Sequence, residues 1–133
     1  MDERTARMCL TAVVEPGHPV LADAVASFGA AQVWAGLLGA EGDLPIAERA
    51  RRLRPGELVE RTREQRLRFV IPGDPDWPPG LADLAGCEPV NELSGSPLGL
   101  WVTGGGDLAP LAATSVAIVG SRASTAYGDT VSA

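Results

Sequence analysis

At Leu67 the spacing of apolar residues switches from the period of a helix to that of a strand, so no single element type can serve both sides. Upstream, Ala6, Cys9, Leu10 and Val13 fall on one side of a helix over residues 4–14, which Pro16-Gly17 ends. Between Val20 and Leu38 the set Leu21, Ala24, Val25, Phe28, Val33, Trp34, Leu37 and Leu38 fits two helical faces interrupted near Gly29, which predicts two short helices joined tightly. Ile46, Ala50 and Leu53 repeat the pattern over 46–53, and Pro55-Gly56 opens a polar helical segment reaching about Arg66. Residues 1–66 thus read as a small bundle of short helices.

Downstream, Leu67-Arg68-Phe69-Val70-Ile71 is β-rich and is closed by Pro72-Gly73-Asp74-Pro75. Residues 75–97 read as loop around a helical patch at Leu81–Leu84. A second strand over Gly99–Thr103 runs into Gly104-Gly105-Gly106. Ser115-Val116-Ala117-Ile118-Val119 is a third, nearly continuous apolar run, suited to a sheet covered on both faces. It feeds into Gly120-Ser121-Arg122, and Tyr127-Gly128-Asp129 begins a further helix. A βα unit needs its return strand before its apolar face is covered, so the expectation is an α/β chain that breaks off early in its second domain.

Composition narrows the class. With 45% hydrophobic and 21% charged residues the balance is that of a globular chain. Gly, Pro or charge breaks every apolar stretch before the roughly 18 residues a membrane span needs. The start, Met1-Asp2-Glu3-Arg4, carries acid where a secretory signal carries basic residues, and a cytoplasmic location is expected. Cys9 and Cys87 lack metal-ligand spacing and are expected to be buried, unpaired thiols, and His18, between Gly17 and Pro19, a loop residue.

A net charge of −6 argues against a self-sufficient nucleic-acid binder. Its distribution says more: residues 1–68 hold ten arginines, from Arg4 to Arg68, and ten acids, whereas residues 69–133 hold Arg122 alone against seven. A buried strand followed by Gly-Ser-Arg and a helix start makes a phosphate cradle. Glycine lets backbone approach an anion, serine donates a hydroxyl, and the helix N-terminus aims its N–H groups at the charge. Arg122 adds a planar fork able to grip one phosphate through two hydrogen bonds. On spacing alone, the account in which Gly120 simply turns the chain and Arg122 pairs with a nearby acid such as Asp129 is the favoured one.

The run Val116–Gly128, with its Gly120-Ser121-Arg122 turn and Tyr127-Gly128 helix start, is similar to the segment that opens the Rossmann-like domain of the DNA-processing protein A (DprA, or Smf) family. Arg68–Pro78 followed by Leu81 resembles that family's strand, Asp and aromatic-Pro segment. Pro97–Gly104 looks like its next strand. The resemblance covers residues 67–133; residues 1–66 correspond only to the family's variable, SAM-like helical domain. It implies a non-enzymatic, cofactor-free protein that binds single-stranded DNA during natural transformation, forms homodimers and engages the RecA recombinase. Gly120, Ser121 and Arg122 would line its phosphate pocket. The family's later Ser-Gly-Leu-Ala and Gly-Ile-Asp segments have no counterpart in these 133 residues, so the fragment alone is not expected to be competent.

Trp34 and Trp101 read as core packing rather than base-stacking platforms, and Trp77 as a pin for the loop against the sheet. The Gly104-Gly105-Gly106 turn lacks dinucleotide-loop spacing and reads as a connection. Arg61, Arg63, Arg66 and Arg68 alternate with Glu60 and Glu64, as helix-surface ion pairs or a secondary DNA contact. No nucleophile stands beside a base, and no acidic spacing implies a metal. Two rivals remain: a lysine-decarboxylase-like phosphoribohydrolase, which uses a similar glycine turn to hold a nucleotide phosphate, and an inactive truncated product.

Overall fold

The computed structural model describes residues 1–117, which form six α-helices, one 3₁₀ segment and two short strands. Helix α1, Glu3–Val13, starts at Asp2, whose carboxylate accepts from the Thr5 amide at 2.9 Å and from its hydroxyl at 2.7 Å. These bonds satisfy one orphan donor of the first turn and hold the Asp2 carboxyl below its ordinary range. His18, expected in a loop, caps α2 (Pro19–Phe28) through Nδ1, which accepts from the Leu21 amide at 3.4 Å. Gly29, with φ +80°, ends α2 and starts α3 (Ala30–Gly39), and the two helices meet at 116°. Only glycine adopts that backbone without a steric penalty. The orphan amide of Ala30 is taken by Glu3 Oε2 at 2.9 Å. Helices α4 (Pro45–Arg52) and α5 (Pro55–Glu64) each begin with proline; the start at Pro55 is the one the sequence predicts, and α4 begins one residue before the expected 46–53.

Ala6, Cys9, Leu10 and Val13 of α1 are buried against Leu21 and Val25, Ala30 and Trp34, and Ala50. They are the α1 residues the helical period selects. Leu10 is fully buried, a gain of about 1.5–3 kcal/mol over exposure. Among the described residues no single helix is long and apolar enough to cross a membrane.

Helix α5 closes with paired bonds, Leu67 N–H to Thr62 O and Arg66 N–H to Arg63 O, both 2.9 Å, with Arg66 at φ 54°. This turn converts helix to strand one residue before the change of period takes hold. Strand β1 (Arg68–Val70) pairs antiparallel with β2 (Leu100–Val102), Phe69 opposite Trp101, their rings 4.9 Å apart and tilted by 58°. The expected helical patch is a 3₁₀ segment, Pro79–Gly86. The chain is therefore α/β, and its sheet among the described residues is one antiparallel pair.

Two features differ from the sequence reading. Helix α6, Leu108–Thr114, occupies a stretch assigned no element; its Ala and Leu content favours helix, and Pro110 falls in the first turn, where no intrahelical donor is lost. Of the strand expected over 115–119, residues 115–117 form no ladder among the described residues, with Val116 exposed, and Ile118 and Val119 lie outside the described residues.

Candidate functional site

Gly120, Ser121 and Arg122 lie outside the described residues, as do Tyr127 to Asp129. What leads towards them is a platform that two aspartates clasp. Asp74 accepts both Arg4 guanidinium nitrogens, Nη1 to Oδ2 and Nη2 to Oδ1, at 2.7 Å each. Its Oδ2 also accepts from the Ile71 amide at 2.9 Å, and Arg4 Nη1 donates to Phe69 O at 2.8 Å. The paired guanidinium, helped by the Ile71 amide, overcomes burial and lowers the Asp74 carboxyl to about 2. Asp76 accepts from the Arg68 guanidinium and the Leu108 amide, and Arg68 Nη2 reaches Gly106 O at 2.7 Å. Burial pushes the Asp76 carboxyl up, but these donors outweigh it and the net direction is down. One residue of β1 thereby fixes both the Pro72–Pro79 loop and the start of α6.

The sequence places Asp74 in the turn that closes the first strand and Asp76 in the loop that follows. The signal was present in Pro72-Gly73-Asp74-Pro75-Asp76, since an aspartate in a turn commonly accepts local amides. Their arginine partners, 70 and 8 residues away, follow no local rule. The Arg61–Arg68 stretch divides accordingly. Arg63 lies 3.7 Å from Glu60 on α5, whereas the turn at Arg66 carries Arg68 off the helix and onto Asp76.

The tryptophans also separate. Trp34 is a core residue whose Nε1 has no hydrogen-bond partner among the described residues. Trp101 is half-buried, its Nε1 donating to Thr62 Oγ1 at 3.3 Å, while Thr62 Oγ1 donates to Leu58 O at 2.8 Å. Trp77 is half-buried in the clasped loop, its amide donating to Asp74 O at 3.0 Å.

Cys9 is fully buried, and that burial raises its thiol to about 11. Cys87 corrects the expectation of a second buried thiol: it caps the 3₁₀ segment and is exposed, on the wall of an apolar groove of about 640 Å³ that Leu84, Val90 and Trp101 also line. A 3₁₀ segment with no buried residue has no core face on which to hide it. Among the described residues no group of three or more His, Cys, Asp or Glu could hold a metal ion.

Charge is segregated more sharply than the two halves of the sequence suggest. Residues 45–68, which span α4 and α5, hold eight arginines and four glutamates, a net +4; the remainder hold three arginines and thirteen acids, a net −10. Arg49, Arg51, Arg52 and Arg54 crowd the junction of the two helices and all are exposed. No protein-family model, curated protein or solved structure matches the chain.

Proposed function

We propose that the chain belongs to a DprA-like protein that binds single-stranded DNA in DNA uptake and natural transformation, and that hands it to the RecA recombinase. In this reading residues 1–66 are a SAM-like helical domain and residues 67–133 open a Rossmann-like domain, with homodimer formation a property of the whole protein. The carrying observation is the ordered run of three segments, Arg68–Pro78, Pro97–Gly104 and Val116–Gly128, each similar to its family counterpart. Support comes from the β1–β2 ladder, which joins the first two segments, and from Asp76, which ties the first of them to the helix that precedes the third.

Gly120 and Ser121 would present backbone amides and a hydroxyl to one phosphate, and Arg122 would close on it as a bidentate donor. Base-independent binding of this kind suits a protein that meets any incoming strand. The test is Arg122→Ala in the full chain, titrated with a fluorescent oligothymidylate at several salt concentrations. Affinity should fall several-fold, and the slope of log K against log salt should become shallower by about 0.7, the loss of one single-strand phosphate contact. Unchanged affinity and slope would remove the turn from the site.

A further inference from the structure

One arginine gives about one phosphate contact, and useful affinity at physiological salt needs several. We infer that the corner where α4 runs into α5 is a second phosphate-binding surface, built from Arg49, Arg52 and Arg54, on which single-stranded DNA lies. The identity of the strand rests on the function proposed above, whereas the surface stands on local observations.

Arg54 is the N-cap of α5, and its side chain makes no capping bond. A helix start favours Asp, Asn, Ser or Thr there and disfavours a cation, because the N-terminal end of the dipole is already positive. The basic last turn of α4, with Arg49, Arg51 and Arg52, suits the opposite end of the dipole. That effect is satisfied by a single cation, while four within six residues repel one another. A residue that breaks a local rule without a local gain is expected at a functional or strained site.

The intramolecular bonds leave the surface open. Arg51 donates to Ala40 O and Arg54 Nη1 to Arg51 O at 3.2 Å, each using part of a five-donor fork. The Arg52–Glu48 pair is 76% and 59% exposed, so it holds Arg52 weakly. Arg49 has no ion-pair partner among the described residues. Ile46, Leu53 and Leu58 pack against the core, so the apolar side chains nearest the corner are turned inward. Guanidinium forks match phosphate oxygens in pairs. The helices are about 12 and 15 Å long; a flexible strand can follow so short a corner, whereas a stiff duplex meets it at few phosphates.

The test titrates the full chain with a fluorescent oligothymidylate of thirty residues across a salt series. A triple variant, Arg49→Gln with Arg52→Gln and Arg54→Gln, should bind at least tenfold more weakly, with the salt slope shallower by about 2. Arg63→Gln, on the outer face of α5 beside Glu60, should change neither. Arg54→Asp should raise the melting temperature while weakening binding, a combination that a purely structural arginine would not give. The proposal is overturned if the triple variant binds like the parent, if the parent binds a duplex of equal length more tightly, or if it binds only phosphatidylserine vesicles. The two sites fail separately: loss on Arg122→Gln with an unaffected triple variant removes the corner and keeps the turn, and the reverse removes the turn and keeps the corner.

Discussion

Asp74 shows how much one side chain can hold when its donors converge. Its carboxylate takes both arms of Arg4 and the Ile71 amide, so ionisation is favoured in the folded state and its carboxyl falls from 3.8 to about 2. A depressed folded value means that the stabilisation is fully present above about pH 4 and is lost as pH falls towards 2. Asp74→Asn keeps the shape and the turn but loses the charge pairing. It should cost about 1–2 kcal/mol at neutral pH and nothing below pH 2, as urea melts at stepped pH would show. Arg54 is the opposite case, a residue whose replacement by Asp should add about 1 kcal/mol of stability by capping α5. Trp34 combines both lessons: truncation to Ala should cost about 3–5 kcal/mol. Trp34→Phe should cost distinctly less, because the N–H it removes makes no bond among the described residues.

Among the elements, the strand pair depends on one close approach. A Cβ at Gly99 would overlap the Phe69 ring, which stacks on Trp101 across the ladder. Gly99→Ala should therefore displace that ring and cost about 1–3 kcal/mol, visible as a lowered thermal midpoint and altered near-ultraviolet circular dichroism. A midpoint equal to the parent's would show that the ring has room to move. The turn that closes α5 runs the other way. Arg66 holds a left-handed backbone that glycine adopts without strain, so Arg66→Gly should stabilise by about 0.5–1 kcal/mol.

Across the whole molecule, helix α1 serves both halves. Its inner face packs the helical core, while Arg4 reaches Phe69 and Asp74 and Arg7 Nη1 donates to Leu98 O at 3.2 Å. Leu98 in turn packs against the helical core, so the change of period at Leu67 marks a change of backbone and not an end of contacts. Helices and strand pair should accordingly unfold in one transition. Circular dichroism at 222 nm, dominated by helix, and the fluorescence of Trp101 in a background lacking Trp34 and Trp77 should give one midpoint. Two separated midpoints would show that α1 does not couple them.

The helices α1 to α5, the break at Gly29 and both described strands were legible in the sequence, because each follows from the spacing of apolar residues and from proline or glycine at its ends. The pairing of Asp74 with Arg4, the transfer of Arg68 from helix surface to Asp76 and the exposure of Cys87 were decided only by the tertiary structure. Periodicity records which face of an element is buried, but the partner of a charge is chosen by whatever distant segment folding brings within hydrogen-bond reach, and no local pattern encodes that.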